Sequence, residues 1–298
     1  MAAPAERLLN HHLEITKKSW YPHELVPYDS AQTFKDDYIW SPDEYPLSQG
    51  VRSAIFVNLL TEDNLPYYTH TLFSHLGEDH PFSAWTKQWT AEEWRHSAVI
   101  RDWVLATRAI NPVELEDSRM IQMKGGKVPE PPDLAELLIY TGFQELATQV
   151  SHRNTGKMLD KERGGPKIMG YVAGDEGRHH EFYCNLAIEA FKIDPSAMVI
   201  ASLNQLVGFK MPGTGIPGFN KHSIEIRKAR IFDIIELVDL VFMPTIDKLQ
   251  LDQLTDLTPE AENARGIIYE YTDELHRRSE LKKEKNALKD ERSDKLAS

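Results

Sequence analysis

Cysteine is nearly missing from this chain: among 298 residues there is one, Cys184. No internal disulfide can form, which suits a reducing compartment without demanding one. An excess of positive charge is missing too. Lys and Arg number 34 against 46 Asp and Glu, a formal net charge of −12. That balance argues against non-specific binding to nucleic acid or an anionic membrane. No run of about 18 apolar residues occurs, the length a spanning helix needs. Residues 1–10 lack the apolar stretch of a secretory leader. A cytoplasmic protein without a membrane span is expected. Runs of β-branched residues at strand length are few, so the fold class expected is all-α.

Prolines and aromatics crowd the first 47 residues, among them Trp20, Pro22, Trp40, Pro42 and Tyr45. This stretch reads as a short helix over about 5–18 and then an irregular wrap. Beyond it the pattern is helical, with long helices expected at about 48–76, 83–110, 133–161 and 165–192. Others follow at about 195–209, 223–252 and 259–290. Gly77 and Pro81, Asn111-Pro112, Gly125-Gly126 through Pro132, Gly164-Gly165-Pro166, Pro195 and Pro212 through Pro217 act as breakers. One domain over 1–298 is expected, ending in a charged helix or tail over 272–298.

Two helical signatures stand out, Glu93-Trp94-Arg95-His96 and Glu176-Gly177-Arg178-His179. Each is Glu-x-x-His, a spacing that puts both groups on one helix face. A single motif of this kind is common by chance, usually as an exposed pair. Here each is preceded by a helix-embedded glutamate at one spacing: 93 − 62 = 31 and 176 − 145 = 31. At about 1.5 Å of rise per residue, a chain that leaves one ligand, turns and returns brings the second back to a similar level. Glu145 falls in line with Leu134, Leu138, Thr141, Thr148 and His152, and Glu62 with Ile55 and Leu59. Buried carboxylates need a partner or a metal.

Glu62, Glu93, His96, Glu145, Glu176 and His179 are therefore the expected metal ligands. Four carboxylates balance two divalent ions. One Glu from each of two helices plus a Glu-x-x-His from each of two others is the di-iron arrangement of ferritin-like four-helix bundles. Iron is expected, and Mn also suits such a donor set. Ligand histidines usually donate their second N–H to a carboxylate. Asp175 is expected to orient His96, and Glu92 to orient His179, with Arg95 and Arg178 pairing with these carboxylates.

The surrounding residues resemble the soluble acyl-carrier-protein (acyl-ACP) desaturases over about residues 14–250. Thr61-Glu62-Asp63-Asn64-Leu65-Pro66 is similar to that family's Thr-Glu-Glu-x-Leu-Pro. Trp89-Thr90-Ala91-Glu92-Glu93-Trp94-Arg95-His96 is similar to its Trp-Thr-Ala-Glu-Glu-Asn-Arg-His. Phe143-Gln144-Glu145-Leu146-Ala147-Thr148 and Asp175-Glu176-Gly177-Arg178-His179 resemble its Phe-Gln-Glu-Arg-Ala-Thr and Asp-Glu-Lys-Arg-His. Ser151-His152-x-Asn154-Thr155 and Trp20-Tyr21-Pro22-His23-Glu24 also fit. Val113 through Glu116 and Ile193-Asp194-Pro195 look most like actinobacterial members. Trp94 departs from the family's Asn and either reshapes the cluster surroundings or packs outward.

The resemblance implies O₂-dependent desaturation of a fatty acyl chain on acyl carrier protein, with two external electrons from a ferredoxin-type donor, in a homodimer. It implies an electron path from Trp20 through Asp175 to His96. Thr148 either donates to bound oxygen or bonds back to its own helix. Phe143, Met169 and Met211 are candidates for the acyl channel. Lys17-Lys18, Arg52 and Lys221 through Arg230 are candidates for docking an acidic carrier. Rival readings of the same ligands are a hydroxylating di-iron oxygenase and a ferritin-like metal- or lipid-binding protein. A ribonucleotide-reductase-like radical site wants a tyrosine one turn past the first ligand histidine. That position is Ile100, although Tyr183 lies one turn past His179. His75 and His80 read as a loop coincidence, and Cys184 as a buried spectator.

Overall fold

The computed structural model describes residues 1–76 and 79–297. Gly77, one of the expected breakers, and Ser298 lie outside them. Twelve α-helices occur among the described residues, and no strand.

Four of them frame the site: α2 (Gln49–Glu62), α4 (Pro81–Thr107), α6 (Leu134–Lys157) and α7 (Gly165–Phe191). Their packing is cyclic, α2 on α4, α4 on α7, α7 on α6 and α6 back on α2, which is the expected four-helix bundle. The α6–α7 pair is a close hairpin. A Cβ added at Gly156 would lie 2.8 Å from the Met169 Cβ, so only glycine admits this approach. Asp133 caps α6 by accepting the Glu136 N–H at 2.9 Å, and Pro166 opens α7 in its first turn. The bundle is apolar around its charged centre, with Ile55, Leu59, Val99, Ile100, Phe143 and Val172 almost fully buried.

The expected helix over 48–76 is two helices. α2 stops at Glu62, and α3 (Leu65–Leu76) restarts beyond Asp63 and Asn64. Pro66 causes the break: its nitrogen cannot donate to the Glu62 carbonyl, and its ring crowds that carbonyl. Glu62 thus sits on the last turn of α2, and the run back to Glu93 passes through α3 before α4 returns. The expected helix over 223–252 is also broken. It comprises α9 (Phe219–Lys228), α10 (Ile234–Leu237), a π turn (Val238–Phe242) and α11 (Met243–Leu249). Arg230 takes a left-handed φ of 56°, and Asp233 then caps a new start by accepting the Ile235 N–H at 2.7 Å. The π turn presses Phe242 onto Phe143, edge to face at 4.9 Å.

No helix is expected between about 110 and 133, where Asn111-Pro112 and Gly125-Gly126 through Pro132 read as breakers, yet a helix lies there, α5 (Pro112–Gly125). Asn111 caps it by accepting the Val113 N–H at 3.1 Å, Pro112 takes its first position, and Gly126 closes it at φ 57°. At the amino end, α1 (Ala2–Ile15) packs on α4 and α7. Residues 16–48 then run as irregular chain with single 3₁₀ turns, as the proline content implies. α8 (Pro195–Gly208) and α12 (Pro259–Ala297) cover the far side, packed on each other.

Candidate metal centre

Six side chains meet in the middle of the bundle, all nearly excluded from solvent: Glu62, Glu93, His96, Glu145, Glu176 and His179. They form two overlapping groups of four. Glu62, Glu93, His96 and Glu176 offer donor atoms within 4.8 Å of one another, and so do Glu93, Glu145, Glu176 and His179. Glu93 and Glu176 belong to both. Each helix pair thus contributes one terminal Glu, one terminal His and one shared Glu, which is the twofold pattern of the 31-residue spacing in three dimensions.

The histidines are oriented for a cation. His96 Nδ1 lies 3.4 Å from Glu93, 3.5 Å from Glu176 and 3.6 Å from Glu62. His179 Nδ1 lies 2.8 Å from Glu93 and 3.5 Å from Glu145. Neither Nδ1 makes a hydrogen bond of proper geometry, nor do Glu93 Oε1 and Glu145 Oε2, although all four atoms are buried. Buried polar atoms left this way are rare without a ligand. The opposite nitrogens are engaged: His96 Nε2 is 3.2 Å from Asp175 Oδ2, and His179 Nε2 is 2.8 Å from Glu92 Oε2. A carboxylate only accepts, so each ring carries a proton on Nε2 and turns Nδ1 inward. Asp175 and Glu92 take the places expected of them, and the residues present fit a pair of divalent ions.

Electrostatics agree. Burial together with the crowding of Glu176 pushes the Glu93 carboxyl up. Burial and the neighbouring Glu176 and Glu93 push Glu145 well above the carboxylate range, against the pull of His179. Burial opposes ionisation of Glu62 as well, but His152 and His96 bring it below its ordinary value. Both ligand histidines are raised well above the ordinary imidazole value, because the carboxylates around them outweigh burial. Burial and like charge thus oppose ionisation of Glu93 and Glu145, an opposition that divalent ions placed among the carboxylates would relieve.

The outer contacts are asymmetric. Asp175 accepts from Trp20 Nε1 at 3.0 Å and Arg95 Nη2 at 3.2 Å, and it pairs with Arg178. The Trp20 ring lies parallel to His96, 6.2 Å between centroids, and the Arg95 guanidinium lies over the Trp20 ring at 4.8 Å. Both arginines therefore serve Asp175, and neither pairs with Glu92 as expected. Glu92 accepts instead from Gln88 Nε2 at 2.7 Å and from His12 of α1 at 3.0 Å. The sequence reading missed His12, which lies in the last turn of α1 with no motif around it. It also assigned no role to His152, whose Nε2 lies 2.8 Å from Glu62 Oε1. Its place on the Glu145 stripe was the available signal. Trp89 Nε1 donates to Glu145 Oε1 at 3.0 Å.

Thr148 Oγ1 lies 2.9 Å from Glu176 Oε2 and also 3.1 Å and 3.0 Å from the Gln144 and Glu145 carbonyls. The expected bond back to its own helix is present, and the same hydroxyl also donates to the Glu176 carboxylate. Thr148, Glu62, Glu93 and Glu176 border a cavity of about 10 Å³, room for about one water. A second space, walled by Thr71, Leu72, Leu137 and Tyr140, shares Tyr68, Trp89 and Gln144 with the first. Phe143 and Met169 lie instead in solid core, and Met211 borders neither space.

Other expectations resolve plainly. Trp94 is 63% exposed and points away from the cluster. Arg52 is buried, donating to the carbonyls of Pro42 and Tyr45 at 2.7 and 2.6 Å, so it is no docking residue. Ile100 is fully buried one turn past His96. Cys184 is buried with its thiol pushed up to about 12 by burial, a spectator. His75 lies in the last turn of α3 and His80 caps α4, away from any metal grouping among the described residues.

Comparison with known proteins agrees with this geometry. A family model described as fatty acid desaturase matches residues 1–297. The chain is 33% identical over 274 residues to the Mycobacterium tuberculosis protein DesA1, named for acyl-[acyl-carrier-protein] desaturation, covering 88% of this chain and 80% of that one. It is 26% identical over 289 residues to the chloroplastic stearoyl-[acyl-carrier-protein] 9-desaturase 5 of Arabidopsis thaliana, covering 89% and 71%. The X-ray structure of M. tuberculosis DesA2 superposes with a TM-score of 0.69 at 23% identity, over 87% of this chain and 95% of that one. That likeness bears on the fold, an all-α ferritin-like architecture. On the match over nearly its whole length, the chain belongs to the fatty acid desaturase family.

Proposed function

We propose that this protein removes two hydrogens from a fatty acyl chain carried on acyl carrier protein, using O₂ and two external electrons. The observation that carries the reading is the pair of overlapping four-donor groups sharing Glu93 and Glu176, inside a chain of the fatty acid desaturase family. Bound there, two iron ions would supply the oxidising power toward an unactivated methylene that no side chain possesses; Mn is an alternative occupant.

The chain's own residues do the rest. Glu62 and His96 would hold one ion, Glu145 and His179 the other, and Glu93 and Glu176 both. Asp175 and Glu92 fix the imidazole tautomers by accepting at Nε2. Thr148, whose hydroxyl reaches Glu176 and borders the small cavity, is placed to pass a proton between that carboxylate and whatever occupies the space. The acyl chain reaches the cluster along the α6 face that carries Leu137, Thr141, Gln144 and Thr148. Tyr68 and Gln144 must part to admit it, since the space beside the cluster holds about one water. Solid walls of Leu, Trp and Tyr then keep bulk water from the reacting carbon.

Trp20 is the entry point for electrons in this reading. It is 6% exposed, hydrogen-bonded to Asp175 and parallel to His96. A ferredoxin-type donor, an acidic carrier docking on the Lys221–Arg230 stretch, a homodimeric single-domain protein and a cytoplasmic setting complete the proposal. No helix among the described residues is long and apolar enough to cross a membrane.

The test is to load the protein anaerobically with Fe(II), supply acyl-ACP, a reductant and O₂, and weigh the acyl chain. Loss of two hydrogens is the expected result. Gain of one oxygen makes the enzyme a hydroxylase. An unchanged chain, with iron taken up far beyond two per protein, overturns both in favour of iron storage.

A further inference from the structure

The two ligand histidines are held differently. Asp175, behind His96, is fixed by a tryptophan and two arginines. Glu92, behind His179, pairs among the described residues with His12, Gln88 and His179 and with no arginine. It lies 96% buried, and its carboxylate needs donors to remain there. Gln88, one turn back on the same helix, serves Oε1. The remaining donor comes from a distant part of the chain. His12 of α1 is 3% exposed, and its Nε2 lies 3.0 Å from both oxygens of Glu92. A carboxylate only accepts, so His12 donates there. Its ring stands edge-on to Trp85 at 4.9 Å, which sets the direction of that N–H.

We propose that His12 is a positioning residue of the metal centre. Its Nε2–H locks the Glu92 carboxylate in the orientation that accepts from His179, and so sets how well His179 and Glu145 hold their ion. The proposal rests on the two-metal reading of the cluster. Merely pinning α1 to the bundle is not a task that needs His12. Ala5 and Leu8 already bury α1 in the core, and Arg7 pairs with Glu189 of α7 at 2.8 Å. The amino-terminal twenty residues thereby reach both histidines, through Trp20 and Asp175 on one side and His12 and Glu92 on the other.

The experiment is anaerobic calorimetric titration of full-length protein with Fe(II), with ⁵⁷Fe Mössbauer spectra of the loaded forms. Wild type, His12→Ala, His12→Asn, His12→Gln and Leu8→Ala are compared. Wild type is expected to bind two ions. His12→Ala and His12→Asn, neither able to reach Glu92, should weaken one ion by about 10–100-fold and change one iron environment. His12→Gln, whose amide donates at similar reach, should restore both. Leu8→Ala, which loosens α1 without touching Glu92, should bind as wild type does. Two ions bound by His12→Ala or His12→Asn with wild-type affinity and spectrum overturns the proposal alone. So does a Leu8→Ala variant that reproduces the His12→Ala loss. A wild type that binds fewer than two ions overturns the two-metal reading, and the proposal with it.

Discussion

Replacing Asp175 by Asn probes the His96 side of the centre most sharply. Oδ2 receives Trp20 Nε1, Arg95 Nη2 and His96 Nε2 at 3.0, 3.2 and 3.2 Å, while Oδ1 faces Arg178. An amide offers one acceptor oxygen and two N–H donors. Its oxygen will turn toward the three inner donors, and its NH₂ toward Arg178, which is 36% exposed and free to swing outward. Helices and core are untouched, so the variant should fold. Bonds to a charged group contribute about 1.5–3 kcal/mol each and bonds between neutral groups about 1. Weakening the His96 contact should then cost about 1–2 kcal/mol of the imidazole's hold on its ion. That corresponds to about 5–30-fold weaker binding, overlapping the lower part of the 10–100-fold range typical when an outer partner of a ligand histidine is removed. The assay is anaerobic Fe(II) titration with helix content checked by circular dichroism, and anomalous diffraction to see which position empties. The ion between Glu62 and His96 should weaken while the one between Glu145 and His179 stays. Unchanged binding of both, or loss at the Glu145 side instead, would refute the reasoning.

Acid should act through the same carboxyl. Burial alone would raise Asp175, but His96, His179 and Arg178 hold it at about 2 in the apoprotein. Its folded value lies below the unfolded value of about 3.9, so its contribution is present above about pH 4 and is lost as pH falls toward 2. Urea titrations of apo wild type and Asp175→Asn should converge across that window; a gap that stays constant contradicts the assignment. Arg119→Ala should destabilise by about 2–3 kcal/mol, because Asp63, buried beside Glu62, is held by Arg119 and by Ser97 at 2.7 Å; a thermal midpoint equal to wild type would count against it. Trp94→Ala should change stability by less than about 0.5 kcal/mol and leave two ions bound, since the ring is in solvent. Loss of metal in that variant would mean that Trp94 shapes the cluster.

The cluster of six side chains was legible because its constraint is local and duplicated. Glu-x-x-His fixes a helix face, and a repeated 31-residue interval fixes the partner, so Glu62, Glu93, His96, Glu145, Glu176 and His179 could be named from spacing alone. Asp175 and Glu92 were legible by adjacency. His12 was not, since it meets Glu92 across 80 residues and no local pattern encodes that contact. Helix presence was easier to read than helix continuity. Pro66 and Arg230 interrupt runs whose apolar period carries on past them, and the period dominates the pattern. The opposite ambiguity hides α5: Asn111, Pro112 and Gly126 read as breakers, yet they are the cap, first residue and close of a helix. The same residue types end one element and begin another, and only what lies between decides. Arg52 looked like a surface charge because side-chain burial on an apolar helix depends on what packs above it, here the wrap at Pro42 and Tyr45.

The central claim is that Glu93 and Glu176 belong to two metal positions at once. Crystals of the Fe(II)-loaded protein, measured at the iron edge, test it directly. Two anomalous peaks are predicted, one beside Glu62 and His96, the other beside Glu145 and His179, with Glu93 and Glu176 touching both. A single peak, or two peaks that share neither glutamate, would contradict it.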